Sequence, residues 1–464
     1  MRSSHVWSVD AARFDDPNLV SCAGLVPVLG LAEQTGMEDL LKRVRFMTSK
    51  VKSGAVNPAG KLGCVIAGMV AGADYIEDLD VLRSGGMPQV FGGVYASTTV
   101  GILLREFTFG HTQQLASAAR AHLVALADRT PVLAGADQRV FVDIDSLLRP
   151  VYGHAKQGAS FGHTKIAGRQ VLRKGLSPLA TTLSTPAAAP VVAGIRLRAG
   201  KAGSGKGAAS MVTEAIGTAR AAVPGCQILV RGDSAYGNSH VVAAARAGGA
   251  RFSVVLTKTR AVNRAIAAIP EDTWTPVHYP GAVVDPDTGQ LISDAEVAEI
   301  THTAFTSTKH PVTARLIVRR IRDRNHHDAL FPVWRYHPFF TDNPEPVAEA
   351  DITHRRHAII ETVFSDLIDG PLAHLPSGSF AANSAWAICA AMAHNLLRAA
   401  ATLTSAPVAR GATLRRQIIN VPGRLARPQR RPLLHLPTHW PWATQWNTLW
   451  HSIFSARHGP LTTA

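Results

Sequence analysis

Three carboxylates stand where a folded chain could bring them together: Asp145, Asp233 and Glu361. Asp145 ends RVFVDID, a run rich in β-branched residues that reads as a strand. Asp233 follows the apolar run QILVRG and precedes Ser-Ala-Tyr-Gly, a second strand leading into a loop. Glu361 lies in THRRHAIIETVFSDL, which has the pattern of an amphipathic helix. Carboxylate oxygens suit Mg²⁺, which keeps several of its waters, so one or two carboxylates per ion suffice. Two such ions about 3.5–4 Å apart can activate a nucleophile and stabilise the leaving oxygen of a phosphodiester. The chemistry to expect is in-line phosphoryl transfer on nucleic acid, provided the fold makes the three acids converge.

Each acid also has a plainer use. A single Asp is more often solvated or capping, and Asp233 stands where it could cap the next helix. Asp143 and Asp145 resist that explanation better. They share one face of a strand expected at the centre of a sheet, where a charge has no solvent to face. They are also rivals, because they lie roughly 7 Å apart along the strand and one metal pair cannot be centred on both.

The elements that must position these residues follow from the patterning. Residues 1–130 read as a helical region able to bind DNA, to dimerise or both. Residues 131–267 read as a mixed α/β segment. After RVFVDID come strand candidates around IAGRQVL and PVVAGIRLRAG, with TTLSTPAAAP as a loop. The helix ASMVTEAIGTARAAV, the strand CQILVRGD, the helix NSHVVAAARAG and the strand RFSVVLT complete the order βββαβαβ. That is the order of a ribonuclease-H-like core, a mixed sheet flanked by helices. Residues 268–345 are rich in Pro, Thr and β-branched residues and read as a β-rich insertion. Residues 346–405 close the core with the Glu361 helix, and residues 406–464 form a basic, Trp-rich tail.

Composition supports a polyanionic partner. The 464 residues carry 48 Lys plus Arg against 33 Asp plus Glu, a net charge of +15. The excess is local: residues 146–207 hold ten basic residues and no acid, and residues 401–464 hold eight arginines and no acid. The strand candidate ARLIVRRIRDRN contributes Arg315, Arg319, Arg320, Arg322 and Arg324, which could bridge phosphates; a solvated charged face is the equal alternative for any one of them. Trp442, Trp446 and Trp450 recur every four residues, which favours a packed helix face over base stacking. Four scattered cysteines show no CxxC pair, so neither a zinc site nor a disulfide framework is expected. The opening residues lack the apolar core of a signal peptide, and the longest uncharged stretch, 370–397, is interrupted by Pro and Gly, so a cytoplasmic chain without a membrane span is expected.

With these residues on the page, a family resemblance can be stated. The DIDSL…VYG element at 143–153, LRAGKAGS…GA at 197–208, LVRGDSAYG at 229–237 and HAIIETVFSDL at 357–367 resemble the DDE transposases of insertion-sequence family 1380. The opening NLVSCAGLVPVLGLAEQTG and the closing LRRQIINVPGRLAR…RRPLLHLPTHWPW resemble the two ends of those proteins, so the likeness spans nearly the whole chain. It implies cut-and-paste DNA transposition: binding of the terminal inverted repeats of the element, cleavage at each end, and attack of the freed 3′-OH on target DNA. It also implies Mg²⁺, with Mn²⁺ as substitute, double-stranded DNA as partner, and a homodimer or higher oligomer on DNA. Asp233 carries over as the second acid and Glu361 as the third. For the first, the family pattern Asp-x-Thr aligns with Asp145-Ser146-Leu147, Leu replacing Thr, and Asp143 remains the rival. Where relatives often have Tyr, then Arg, then Glu, this chain has His354, His357 and Glu361, so any role of that Tyr or Arg does not transfer. Both histidines can still contact phosphate.

Two decoys are set aside. GKAGSGKG (200–207) imitates a phosphate loop, but Gly207 stands where Ser or Thr should hold Mg²⁺. The histidines at 326, 327, 354 and 357 have no neighbouring Cys and no HExxH-like helper, so zinc is not expected. The remaining alternatives to a transposase are a nuclease using the same three acids and a domesticated DNA-binding protein.

Overall fold

The computed structural model describes residues 11–46, 53–153, 155–166, 169–277, 295–322 and 333–455. Residues before Pro131 are mainly helical, as their spacing predicts: α1 (Leu25–Gln34), α2 (Pro58–Ala71), α3 (Ser97–Arg105) and α4 (Phe109–Arg129), with a short helix at Met37–Leu41. Asn57 begins α2 by accepting the Gly60 N–H, with Pro58 at the first helical position, where its missing N–H costs nothing.

A sheet of nine strands carries the rest. In chain order these are β1 (Val140–Ser146), β2 (Leu179–Ser184), β3 (Val191–Arg196), β4 (Ile228–Gly232), β5 (Arg251–Val255), β6 (Thr275–Val277), β7 (Ala295–Ala304), β8 (Val312–Arg322) and β9 (Trp334–Thr341). Across the sheet they run β6-β7-β8-β9-β5-β4-β1-β2-β3. β1 and β4 pair in parallel, as do β4 and β5; every other pairing is antiparallel. Parallel neighbours need crossovers, supplied by α5 (Ala208–Ala222), which leads from β3 to β4, and α6 (Ser239–Ala247), which leads from β4 to β5. β4 is buried along its whole length and β1 over its first five residues, which is why both read as near-continuous apolar runs.

Two local expectations change. The strand around IAGRQVL is Arg169–Leu176, but it lies outside the main sheet. It pairs with Ser160–Ile166 and with Arg149–Pro150 in a separate three-stranded sheet. Its place beside β1 is taken by β2, LATTLS, part of which reads as a loop because of its threonines. Thr181 and Thr182 are nonetheless fully buried there, since β-branched threonine fits a pleated strand as well as valine does. The β-rich stretch 268–345 does supply strands, and they extend the main sheet: β9 pairs with β5 through Phe339–Val255 and Thr341–Ser253.

After the sheet come α7 (Val347–Arg355), α8 (Ile360–Ile368) and α9 (Phe380–Thr402). Every residue of α9 from Ala382 to Ala401 is buried. It packs against α2, α4 and β3, so one hydrophobic cluster joins the helical region to the sheet. Asn395 on α9 bonds both backbone groups of Val192, accepting from its N–H at 2.7 Å and donating to its C=O at 2.8 Å. That satisfies polar groups of an edge strand that no further strand covers. The tail returns to the start: Gly423–Ala426 pairs with Leu19–Val20, and α10 (Ala443–Phe454) packs on α1 with Trp446 buried and stacked on Trp450 at 5.2 Å. Among the described residues no helix is long and apolar enough to cross a membrane.

Candidate active site

The two strand-borne aspartates are brought side by side by register. Parallel pairing of β1 with β4 runs from Val140–Ile228 to Ile144–Gly232. One residue further along each strand stand Asp145 and Asp233. Asp145 is partly buried, and its Oδ1 accepts the Ser146 N–H at 2.6 Å. Asp233 is exposed at the start of a tight turn, where its Oδ1 accepts the Ala235 N–H at 2.9 Å. The capping role falls instead to Asn238, whose side chain accepts the Val241 N–H. Gly237 closes the turn against β5: a Cβ there would lie 1.9 Å from the Val255 carbonyl oxygen, so no larger residue fits.

Glu361 arrives from the other side. The expected single helix is two, because Arg356–Ile359 tighten into a 3₁₀ turn between α7 and α8. The His357 ring donates from Nδ1 to the His354 carbonyl at 2.6 Å within that break. Glu361 sits exposed in the first turn of α8, where the helix dipole favours an acid, and α8 packs against β1. The three acids share one electrostatic neighbourhood. Burial pushes the Asp145 carboxyl up to about 7, reinforced by the charges of Asp233 and Glu361 and opposed by the Ser146 N–H and Arg198. Among the described residues no three His, Cys, Asp or Glu side chains converge tightly enough to hold a metal as they stand.

Two residues complete the neighbourhood. Arg198, 7 % exposed, acts electrostatically on Asp145 and donates to the carbonyls of Gly203, Ser204 and Lys206. The GKAGSGKG loop thus turns carbonyls around a cation, the reverse of a phosphate loop's inward N–H groups. Tyr236 is fully buried near Asp145 and Asp233, and its hydroxyl has no hydrogen-bond partner. Neither residue stands out in the sequence; the available signal is that both belong to motifs already noted, LRAG and GDSAYG.

Asp143 is placed differently from Asp145. It is wholly buried and forms a two-pronged ion pair with Arg231, 2.7 Å from Nε and 2.8 Å from Nη2. The remaining candidates divide as follows. Arg315 is tied to Glu299 and to the carbonyl of Glu345. Arg320 pairs with Glu271 and Glu296 and lies between the rings of Trp274 and Trp334, at 4.2 and 4.3 Å. Arg319 faces an open cleft of about 600 Å³, walled also by Ser234, Lys258, Trp334, His337 and His357. Arg322 is exposed, and Arg324 lies outside the described residues. His354 is buried, stacked on Phe339 at 4.2 Å and bonded to Ser253, which holds its imidazole neutral.

Comparison with known proteins identifies the family. The sequence profile of the transposase DDE domain, group 1, matches residues 8–458. No curated protein matches the chain. Among solved structures, the piggyBac transposase in a synaptic complex with hairpin DNA matches at 9 % identity with a TM-score of 0.39, covering 80 % of this chain and 74 % of that one. A match across nearly its whole length places the chain in the transposase DDE domain family, enzymes that cleave DNA and transfer its strands.

Proposed function

We propose that Asp145, Asp233 and Glu361 are the acids of this transposase, and that they hold divalent cations, Mg²⁺ or Mn²⁺, during DNA cleavage. The observation that carries this reading is the parallel register that aligns Asp145 with Asp233, together with the effect of Glu361 on Asp145. The donor set fits such an ion: hard carboxylate oxygens, and beside them a buried Tyr236 hydroxyl that a hydrated ion would supply with a partner. When bound, the cation supplies Lewis-acid activation of the nucleophile and stabilises the leaving oxygen.

The chain's own groups do the rest. In the first step a water oxygen bonds to phosphorus at the element end, the bond to the 3′-oxygen breaks, and the strand leaves as a 3′-OH. In the second step that hydroxyl attacks a target phosphodiester and loses its proton, and the target's 3′-oxygen leaves and gains one. The reading is cut-and-paste transposition of an insertion sequence of family 1380, with binding to its terminal inverted repeats. Asp143 is assigned no ligand role, because its carboxylate is committed to Arg231. DNA contacts are assigned to Arg319, Arg322 and His357 around the cleft beside Ser234, where the aromatic walls and cations suit a nucleic-acid strand.

The test is cleavage of a DNA fragment carrying one element end. Mg²⁺ or Mn²⁺ should support it, Ca²⁺ poorly, and full activity in excess EDTA would refute the metal reading.

A further inference from the structure

The Asp143–Arg231 pair occupies a place that packing alone does not account for. It is a cross-strand pair in the register that aligns the acids: Asp143 opposes Arg231, and two residues further along each strand lie Asp145 and Asp233. Both partners are about 1 % exposed. The guanidinium uses Nε and Nη2 on the two carboxylate oxygens, at 2.7 and 2.8 Å. Its remaining nitrogen, Nη1, donates to the main-chain carbonyl of Thr353 at 2.8 Å. Thr353 lies in α7, just before the 3₁₀ turn that leads to Glu361. One face of the guanidinium lies on the Phe141 ring, 3.9 Å from its centroid, so the group cannot swing away.

One side chain therefore touches the strand of Asp145, is borne by the strand of Asp233, and grips the segment that delivers Glu361. Such a buried pair rarely improves stability over a well-packed apolar pair, because desolvating two charges costs about as much as their attraction returns. Its fork geometry, by contrast, fixes three elements at once in a way that apolar groups do not. We propose that Arg231, held by Asp143, is a positioning residue that sets the separation of the three acids and so the affinity of the site for its cation. The proposal rests on the reading of Asp145, Asp233 and Glu361 as cation ligands.

The experiment compares wild type with the double variant Asp143→Leu/Arg231→Met, which removes both charges while keeping the volume filled. Three quantities are measured on the full chain: thermal unfolding, Mn²⁺ binding to the DNA-free protein by loss of the free-ion paramagnetic signal, and Mn²⁺ dependence of end cleavage. The expected result is a folded protein that binds DNA ends as wild type does but needs about tenfold or more Mn²⁺ for half-saturation, the scale found when groups supporting metal ligands are removed. Unchanged half-saturation would overturn the proposal. So would failure of the double variant to fold, since the pair would then serve the fold itself. The wild type separates the two readings. If it binds no Mn²⁺ and cleaves without it, the metal assignment fails; if it binds and the double variant matches it, only the positioning role fails.

Discussion

Asp145 and Asp233 stand opposite one another, one residue past the last paired rung of two parallel strands, Ile144 and Gly232. Like charges opposed across strands destabilise the pairing, so the arrangement has a cost that the fold does not need. Burial of Asp145 adds to that cost. Neighbouring groups offset it only in part: Arg198 reaches Asp145 electrostatically, while Arg231 is fully engaged with Asp143 and Thr353. An unfavourable charge arrangement kept at the end of a central strand is expected where function, rather than stability, determines the residues.

This yields opposite outcomes for two neighbouring substitutions. Asp145→Asn should end cleavage and raise the stability of the metal-free protein by about 1 kcal/mol, since it removes a buried like charge. Asp143→Asn should leave Arg231 as an uncompensated buried cation and lower stability by about 3–5 kcal/mol. Thermal melts of both variants decide the matter. A destabilised Asp145→Asn together with an unperturbed Asp143→Asn would reverse the two assignments.

Binding and chemistry should separate at the other two acids. Asp233→Ala and Glu361→Ala should abolish end cleavage and leave DNA-end affinity near wild type, because affinity comes mainly from phosphate contacts by Arg and Lys. Both acids are exposed, so neither loss opens a cavity. A mobility-shift assay in which both variants lose binding would make these acids structural.

Parts of this arrangement were legible in the sequence and parts were not. The strands ending at Asp145 and Asp233 announce themselves by β-branched runs, because central parallel strands are apolar on both faces. The long core helix α9 and the Trp446 face of α10 follow from helical spacing in the same way. Three other features depend on pairing between distant segments. Nothing local in LATTLS distinguishes an edge-side core strand from a loop, since its threonines serve both. The break between α7 and α8 rests on a His357–His354 hydrogen bond that the amphipathic pattern does not encode. The partner of Asp143 is 88 residues away and became visible only with the register, although an arginine in the apolar strand ILVRG was itself a signal.

Acid should weaken the fold through the helical region. His122 on α4 is buried, and its Nε2 lies 3.0 Å from the Thr35 hydroxyl, which donates its own proton to the Leu31 carbonyl. Burial lowers its pKa from 6.5 to about 4, so the unfolded chain binds a proton that the folded one does not between those values. Stability is therefore fully present above about pH 6.5 and falls as pH drops toward 4, by up to about 1.4 kcal/mol per pH unit from this group. Urea unfolding between pH 7 and 5 should show that slope, and His122→Gln should reduce it. An identical slope in the variant would remove His122 as its source.

Adjacent arginines on β8 should behave as different kinds of residue. Arg319 and Arg320 alternate across the strand, so they face opposite sides of the sheet. Arg320 is held by Glu271 and Glu296 between two indoles, whereas Arg319 opens onto the cleft beside Ser234. Arg320→Ala should therefore lower stability by about 2 kcal/mol, the scale of a desolvated cation–π contact, and affect DNA binding only through the fold. Arg319→Ala should leave the melting temperature unchanged and weaken DNA-end binding. It should also reduce the slope of log affinity against log salt by about 1, the signature of one lost phosphate contact. Titrations at several salt concentrations distinguish the two. If Arg319→Ala keeps the wild-type salt slope while Arg320→Ala loses it at constant stability, the DNA-facing side of β8 is the other one, and the cleft is not where the nucleic acid lies.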